Sequence, residues 1–277
     1  MTGAAGGLGK ALATVFDAAG FDLVLVDVDS SVLDASSPRR APHVCVVGDV
    51  TDDEFLQRLV ADTIDRFGRI DLVINNAGKV GYTPLAGPPV DAIDAFDELW
   101  RVNTRAPYVL GRLVVPHMIE RRQGHIVNVS TDHVHTCGFP NVLDHTEADD
   151  CPWHDSPRRP IGGAVFDAYD ASKWALNGMT QVWSAALRKH GIRVNNLCLG
   201  ATDTAMVRGA IRDLAGRDPS DDEIASWMSP IAVARLVLEL HDEGITGRSG
   251  DNVGAWVGHP LRLPPPHPVL APRPDLR

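Results

Sequence analysis

Thr2-Gly3-Ala4-Ala5-Gly6-Gly7-Leu8-Gly9 opens the chain, and its reading decides the fold. Glycines at 3, 7 and 9 permit a tight turn, a close backbone approach to a pyrophosphate and close packing of the helix that follows. That helix start offers free N–H groups and the positive end of its dipole. Taken alone, the stretch is equally a small-residue loop with no ligand. Its surroundings argue otherwise, because the chain beyond it alternates in period. Residues 8–19 read as a helix, and residues 22–28 (DLVLVDV) as a buried parallel strand ending in acid. Residues 44–47 form a second short strand, and Thr51-Asp52-Asp53-Glu54 is a capping box opening a helix to about residue 67. Strands are expected at 70–75, 124–130, 192–199 and 252–257, and helices at 91–100, 101–122 and 166–190. Such alternation implies a Rossmann-like, doubly wound α/β fold, its parallel sheet covered by helices on both faces.

Composition admits this fold without requiring it. The 277 residues, 44% hydrophobic, can bury one sizeable core. Residues 1–258 are therefore read as a single dinucleotide-binding domain. A formal charge of −10 disfavours a nucleic-acid or anionic-membrane partner, since either would favour a basic face. Cys45, Cys137, Cys151 and Cys198 are few and irregularly spaced, and no secretory signal or long apolar segment is visible. The expected location is cytoplasmic, with reduced thiols.

Chemistry is carried by Tyr169-Asp170-Ala171-Ser172-Lys173, preceded by Ser130 at the end of an apolar strand. Residues at i and i+4 share a helix face. The Lys173 ammonium is thus expected beside the Tyr169 phenol, easing formation of its anion and making a tuned general acid/base. With three Tyr and four Lys in the chain, chance supplies about 0.04 such pairs.

In order, the glycine loop, Asn75-Asn76-Ala77-Gly78, Asn103, Ser130 and the Tyr169/Lys173 pair resemble the short-chain dehydrogenase/reductase (SDR) family, in its shorter branch with a Thr-Gly-x3-Gly-x-Gly loop. The resemblance runs from residue 2 to about residue 258. It implies an NAD-dependent oxidoreductase that interconverts a small-molecule secondary alcohol and a ketone. Tyr169 as phenolate would take the alcohol proton while the carbinol hydride passes to the nicotinamide. Lys173 would lower the Tyr169 pKa and bond the nicotinamide ribose, Ser130 would position the substrate oxygen, and Asn103 would hold a water-linked proton path behind Lys173. The cofactor-binding set so implied is Gly3, Gly6, Gly7, Leu8, Gly9, Asp27, Asp49, Val50, Asn76, Ala77, Gly78, Tyr169, Lys173, Thr202 and Thr204. A homo-oligomer, dimer or tetramer, built on the long helices near Asn103 and Tyr169 is implied as well.

Several of these positions have a plainer alternative. Asp27 is placed to accept hydrogen bonds from ribose hydroxyls and to repel a 2′-phosphate, favouring NAD over NADP; it is otherwise a solvated strand-end acid. Asp49-Val50 reads as an adenine contact or as a turn, and Asn76-Ala77-Gly78 as a wall beside the adenine ribose or as a turn. Ser130 could be a strand-end cap, Asn103 a helix polar group and Thr204 a helix N-cap.

Three features depart from the family pattern. Only Met1 precedes Thr2, so the central strand that normally leads into the glycine loop is absent, and a start upstream of Met1 is expected. Tyr169 lies 39 positions after Ser130, so residues 134–164 read as an insertion, in place for a lid over the substrate. Its His133, His135, Cys137, His145, Cys151 and His154 match no standard zinc spacing, and no metal site is assigned. Phe139, Val142, Leu143 and Trp153 either line an apolar pocket or anchor the loop. Leu199 stands where the family generally has Pro, which relaxes the turn beside the nicotinamide. Residues 204–229 read as a helical substrate flap, with Met206, Ile211, Leu214 and Trp227 as candidate contacts. Residues 259–277 form an extended tail, with seven prolines among the last eighteen residues.

Two rival functions share the cofactor. A non-catalytic NAD-sensing protein would fit a chain lacking Tyr169 or Lys173. An NAD-dependent epimerase or dehydratase would carry a different glycine spacing and a large C-terminal substrate domain.

Overall fold

Apolar, β-branched runs too short for a buried helix alternate with amphipathic stretches of ten residues or more, and a parallel sheet between helical layers satisfies both. The computed structural model describes residues 1–31, 43–134, 165–255, 257–258 and 260–263. Its elements are α1 (Gly7–Ala18), β1 (Leu23–Asp27), β2 (His43–Val47), α2 (Asp53–Phe67), β3 (Leu72–Asn75), α3 (Pro89–Trp100), a π-helical turn (Arg101–Arg105) and α4 (Ala106–Arg121). They continue with β4 (Gly124–Thr131), a 3-10 turn (Asp132–Val134), α5 (Asp167–Leu187), β5 (Ile192–Leu199), α6 (Ala205–Ala215), α7 (Asp221–Ser226), α8 (Pro230–Asp242) and β6 (Asn252–Ala255).

Every strand pairing is parallel, in the orders β1-β2 and β3-β4-β5-β6. One face is covered by α1 and α8, through Leu12, Phe16, Leu236 and Val237. The other is covered by α2 and α4, through Leu56, Val60, Val114 and Met118. Buried on both faces, β4 and β5 mix apolar residues with buried polar ones, His125, Asn128, Arg193, Asn195 and Asn196.

Differences from expectation lie mostly at element ends. α2 is capped by Asp52, not by Thr51: the Asp52 carboxylate accepts from Glu54 N at 2.9 Å and Phe55 N at 3.1 Å, while Thr51 N donates to Asp49. α3 starts two residues early at Pro89, because proline's missing N–H costs nothing in a first turn. α5 stops at Leu187 and tightens into a 3-10 turn that ends on left-handed Gly191. α8 is an element the sequence reading did not assign, although Val233, Leu236, Val237 and Leu240 recur at the i, i+3, i+4, i+7 spacing of an amphipathic helix. Outside the described residues lie His135, Cys137, Phe139, Val142, Leu143, His145, Cys151, Trp153 and His154 of the expected insertion, and the chain from residue 264 onward.

No strand precedes α1 among the described residues, and this splits the sheet. β1 and β3 face one another without pairing, and Met1 and Thr2 stand between them. Val26 N donates to Met1 O at 3.0 Å, Thr2 N to Ile74 O at 3.1 Å and Ala4 N to Val26 O at 3.1 Å. The Met1 amino group donates to Val24 O at 2.7 Å, and burial pushes its pKa down to about 5. Behind Met1 the two strand edges enclose a cavity of about 390 Å³, lined by Leu23, Val24, Leu59, Leu72, Val73 and Leu110 among others.

An apolar slot between two parallel edges should accept a third strand. Two or three side chains buried there at roughly 1.5–3 kcal/mol each, with about 2–4 °C per kcal/mol, predict a rise in Tm on the order of 10 °C for a variant carrying five β-branched residues ahead of Met1. A Gly/Ser extension of equal length should leave Tm within about 2 °C of the parent. The parent amine is neutral when folded and charged when unfolded between about pH 5 and 8, so its stability falls as pH drops through that window. The apolar extension should flatten this fall, as read by thermal melts at pH 5 and 8.

Candidate active site

The glycine loop is shaped by contacts that exclude side chains. Gly3 has φ +67°, and a Cβ there would lie 2.8 Å from Ala77 N; one at Gly9 would lie 2.0 Å from the Gly3 carbonyl oxygen. Asn76, at the end of β3, locks the loop from below. Its Nδ2 donates to Thr2 O at 3.1 Å and Gly3 O at 2.9 Å, while Asn76 N and Ala77 N donate to the Thr2 hydroxyl at 3.2 and 3.1 Å. Gly6 at the N-cap offers no side chain to the first turn of α1. The helix therefore presents N–H groups with no side-chain acceptor, which suits a phosphate oxygen.

Asp27, the last residue of β1, accepts from Ala5 N at 2.8 Å and from Asp29 N at 3.1 Å. It thus braces the loop while standing at the wall of a cleft of about 960 Å³. Every residue of the expected cofactor-binding set lines that cleft, and so does Ser130. Asp49 makes the turn to Thr51 N at 2.8 Å, and Thr204 caps α6 by accepting from Val207 N at 3.3 Å. Both therefore combine a local structural role with a place on the cleft wall. Thr202 donates to Gly200 O at 3.1 Å, holding the turn after β5.

Asn103 does not line the cleft. Fully buried in the π-helical turn, it accepts from Lys79 N at 2.8 Å and donates to Lys79 O at 2.9 Å and to the Ser172 hydroxyl at 3.0 Å. It still reaches the site from behind. A Cβ on Gly78 would stand 3.3 Å from both Asn103 Oδ1 and Lys173 Nζ, so the two polar groups converge on that glycine.

Ser130 and Tyr169 both face the cleft with Lys173, whose Nζ lies 5.9 Å from the centre of the Tyr169 ring. The electrostatics differ from the simple expectation. Lys173 donates to Val129 O at 2.9 Å, and burial pushes its pKa down to about 8. Burial pushes the Tyr169 phenol up to about 12; the Thr131 hydroxyl opposes that rise and the Asp170 carboxylate adds to it. Desolvation thus outweighs the neighbouring amine, which is engaged by a backbone carbonyl. The Ser130 hydroxyl donates weakly to Lys173 O at 3.4 Å.

The model of the short chain dehydrogenase family matches residues 1–139 and 158–215. The chain belongs to the short chain dehydrogenase family. Among its relatives, the 1-deoxy-11-beta-hydroxypentalenate dehydrogenase of Streptomyces exfoliatus is 34% identical over 214 residues, 76% of this chain and 68% of that one. The L-fucose dehydrogenase of Mus musculus is 30% identical over 200 residues, 72% of this chain and 63% of that one. The crystal structure of a levodione reductase matches with a TM-score of 0.73 at 27% identity, covering 91% of this chain and 93% of that one. Short chain dehydrogenases are oxidoreductases that work with a nicotinamide cofactor, NAD or NADP.

Other site residues escaped the motifs. Thr131 reaches the Tyr169 hydroxyl, Lys79 grips Asn103, and Ser172 joins Asn103 to the Tyr169 carbonyl, to which it donates at 2.6 Å. Thr83 bonds Asp167 and clamps the start of α5. Ser172 and Thr131 were findable as immediate neighbours of the motif residues; Lys79 and Thr83 depend on a tertiary approach that no spacing encodes.

Asn76 should be the most sensitive support of the loop. Asn76→Ala leaves two carbonyls without their donor, a loss of about 1–3 kcal/mol. Calorimetry should show Tm lower by about 3–10 °C, and titration should show weakened dinucleotide binding in the same variant.

Proposed function

We propose that this chain is an NAD-dependent short-chain dehydrogenase that interconverts a secondary alcohol and a ketone, with Tyr169 as general acid/base. The observation that carries the reading is the convergence of the glycine loop, Asp27, Ser130, Tyr169 and Lys173 on one cleft at the carboxyl ends of the strands. The backbone N–H groups at the start of α1 bind the pyrophosphate, and Asp27 accepts from the adenosine ribose hydroxyls. Its fixed carboxylate disfavours a 2′-phosphate, which supports NAD over NADP. Asp49 and Val50 would contact the adenine, Asn76, Ala77 and Gly78 would wall the adenine ribose, and Thr202 and Thr204 would contact the cofactor beyond it. When bound, the dinucleotide supplies hydride chemistry.

The chain's own residues orient the substrate and handle its proton. Ser130 Oγ orients the substrate oxygen and stabilises charge growing on it. Tyr169 gives its hydroxyl proton to that oxygen in ketone reduction and takes it back in alcohol oxidation. Lys173 stands beside the phenol as a buried ammonium, and Asn103 holds Lys79 and Ser172 behind it. With the phenol raised to about 12 by burial, Tyr169 is an acid at neutral pH. Oxidation needs the phenolate and so gains with rising pH. A cytoplasmic homo-oligomer acting on a small, not strongly anionic molecule completes the proposal.

Absorbance of the reduced cofactor, followed with a panel of secondary alcohols and ketones, tests the reading. Tyr169→Phe should lose about 10²–10⁴-fold in kcat/KM while keeping NAD affinity; dinucleotide binding without turnover in either protein would point to a non-catalytic sensor. Oxidation by the native chain should climb between pH 7 and 9 as reduction stays level or declines. Asp27→Asn should lower the NAD-over-NADP preference in kcat/KM at least about tenfold.

A further inference from the structure

Beside Tyr169 stands a pair that the proposed roles do not use. His133, in the 3-10 turn after β4, has its Nδ1 2.9 Å from Asp170 Oδ1, and Asp170 adjoins Tyr169 in the first turn of α5. The pair is only partly exposed, with 30% of the His133 side chain and 13% of the Asp170 side chain accessible. The imidazole meets Phe166 at 5.2 Å and approaches the Tyr169 ring edge-on at 6.2 Å, centre to centre. Its turn is anchored on both sides. His133 N donates to the Thr131 hydroxyl at 3.4 Å, and Asn177 Nδ2 donates to Val134 O at 2.7 Å. His133 therefore touches Tyr169 by two routes, through Asp170 and through Thr131, which itself bonds the phenol.

We propose that His133 and Asp170 are a positioning pair for Tyr169, in which the imidazole offsets the negative charge that Asp170 sets against the phenolate. The inference rests on the proposed role of Tyr169. A carboxylate next to a phenol disfavours the anion, and a cation on that carboxylate cancels the effect. Histidine is the side chain whose charge changes between pH 5 and 8. Here the imidazole is the direct partner of the Asp170 carboxylate, 2.9 Å away, and takes up part of its charge. Other charged or titratable groups on the elements around Tyr169 are Asp167 and Lys173 on its own helix, Asp132 in the 3-10 turn, Cys198 on β5 and Lys79 after β3. All five stay constant in the test.

Asp170→Asn removes the negative charge, and His133→Lys makes the compensating positive charge permanent. Opposite chemistry should give the same result. In both variants the pH midpoint of alcohol oxidation, read as kcat/KM, should move down by about 0.5–1 pH unit, while His133→Gln, which takes the imidazole from the carboxylate, should move it up. Coincident profiles in all four proteins, or lower kcat at an unchanged midpoint, would overturn the pair's role and leave the dehydrogenase reading intact. Absence of turnover in the native protein would count against that reading instead. A second measurement then decides the pair: with three tyrosines in the chain, ¹³Cζ-tyrosine resonances assigned through Tyr169→Phe report phenolate directly. Onset of Tyr169 ionisation at lower pH in Asp170→Asn and His133→Lys than in the native chain supports the pairing, and identical onsets refute it.

Discussion

A buried chain of amides and one hydroxyl holds α5 against the sheet, and the position of the site depends on it. Asn75 Nδ2 donates to Asn128 Oδ1 at 2.8 Å, and Asn128 Nδ2 to the Thr180 hydroxyl at 3.1 Å. Thr180 donates to Asn196 Oδ1 at 2.7 Å, and Asn196 Nδ2 reaches Asn177 Oδ1 at 2.7 Å and Asn252 Oδ1 at 3.0 Å. The ladder crosses β3, β4, β5 and β6 and takes in two residues of α5. Each group left unsatisfied here would cost about 1–3 kcal/mol. Apolar packing tolerates a slipped register; a saturated polar network does not. Tyr169, Lys173, Asn177 and Thr180 fall on one face of α5 at spacings of four, four and three. The same face that enters the sheet as amides therefore emerges in the cleft as phenol and amine, so the ladder sets where those two groups stand.

The cleft end of that face is governed by dehydration more than by pairing. Tyr169 and Lys173 both shift toward their neutral forms, and for both the first cause is burial. An amine lowered to about 8 and a phenol raised to about 12 are further apart in proton affinity than the two groups are in water, so the phenol keeps its proton while the amine gives up its own more readily. A carboxylate as near as Asp170 adds to the rise at Tyr169 inside this dehydrated site, whereas the exposed Arg217–Glu223 pair is screened by solvent.

Much of this was legible in the sequence, for a stated reason in each case. The glycine loop could be read because its spacing follows from backbone sterics, and the Tyr169/Lys173 pair because helix periodicity is local. The parallel sheet could be read because short apolar runs such as residues 23–26 alternate with amphipathic stretches. The ladder was less visible: Asn128 and Asn196 look like defects in their strands until Asn177 and Thr180 are brought opposite them. α8 was legible too, since Val233, Leu236, Val237 and Leu240 keep a helical period, but it lies beyond the motifs from which the chain was read. The lowered acidity of Tyr169 was misjudged because spacing reports proximity and says nothing about desolvation, nor that Val129 O would take the Lys173 ammonium.

The alternatives posed for Asp27, Asp49 and Thr204 also prove not to be exclusive. In a parallel sheet the strands end together, and each ends in backbone groups that need partners. Short polar side chains at those ends supply them: Asp27 to Ala5 N, Asp49 to Thr51 N, Thr204 to Val207 N. The crevice at which a dinucleotide would lie is bordered by the same strand ends. A residue that caps there is consequently already at the wall, with remaining lone pairs facing the cleft. Structural satisfaction fixes the side chain in place, and a fixed acceptor is what selective recognition of a ribose requires. Where a sequence presents a choice between cap and ligand at the carboxyl end of a parallel strand, the geometry of the fold makes the first a condition for the second.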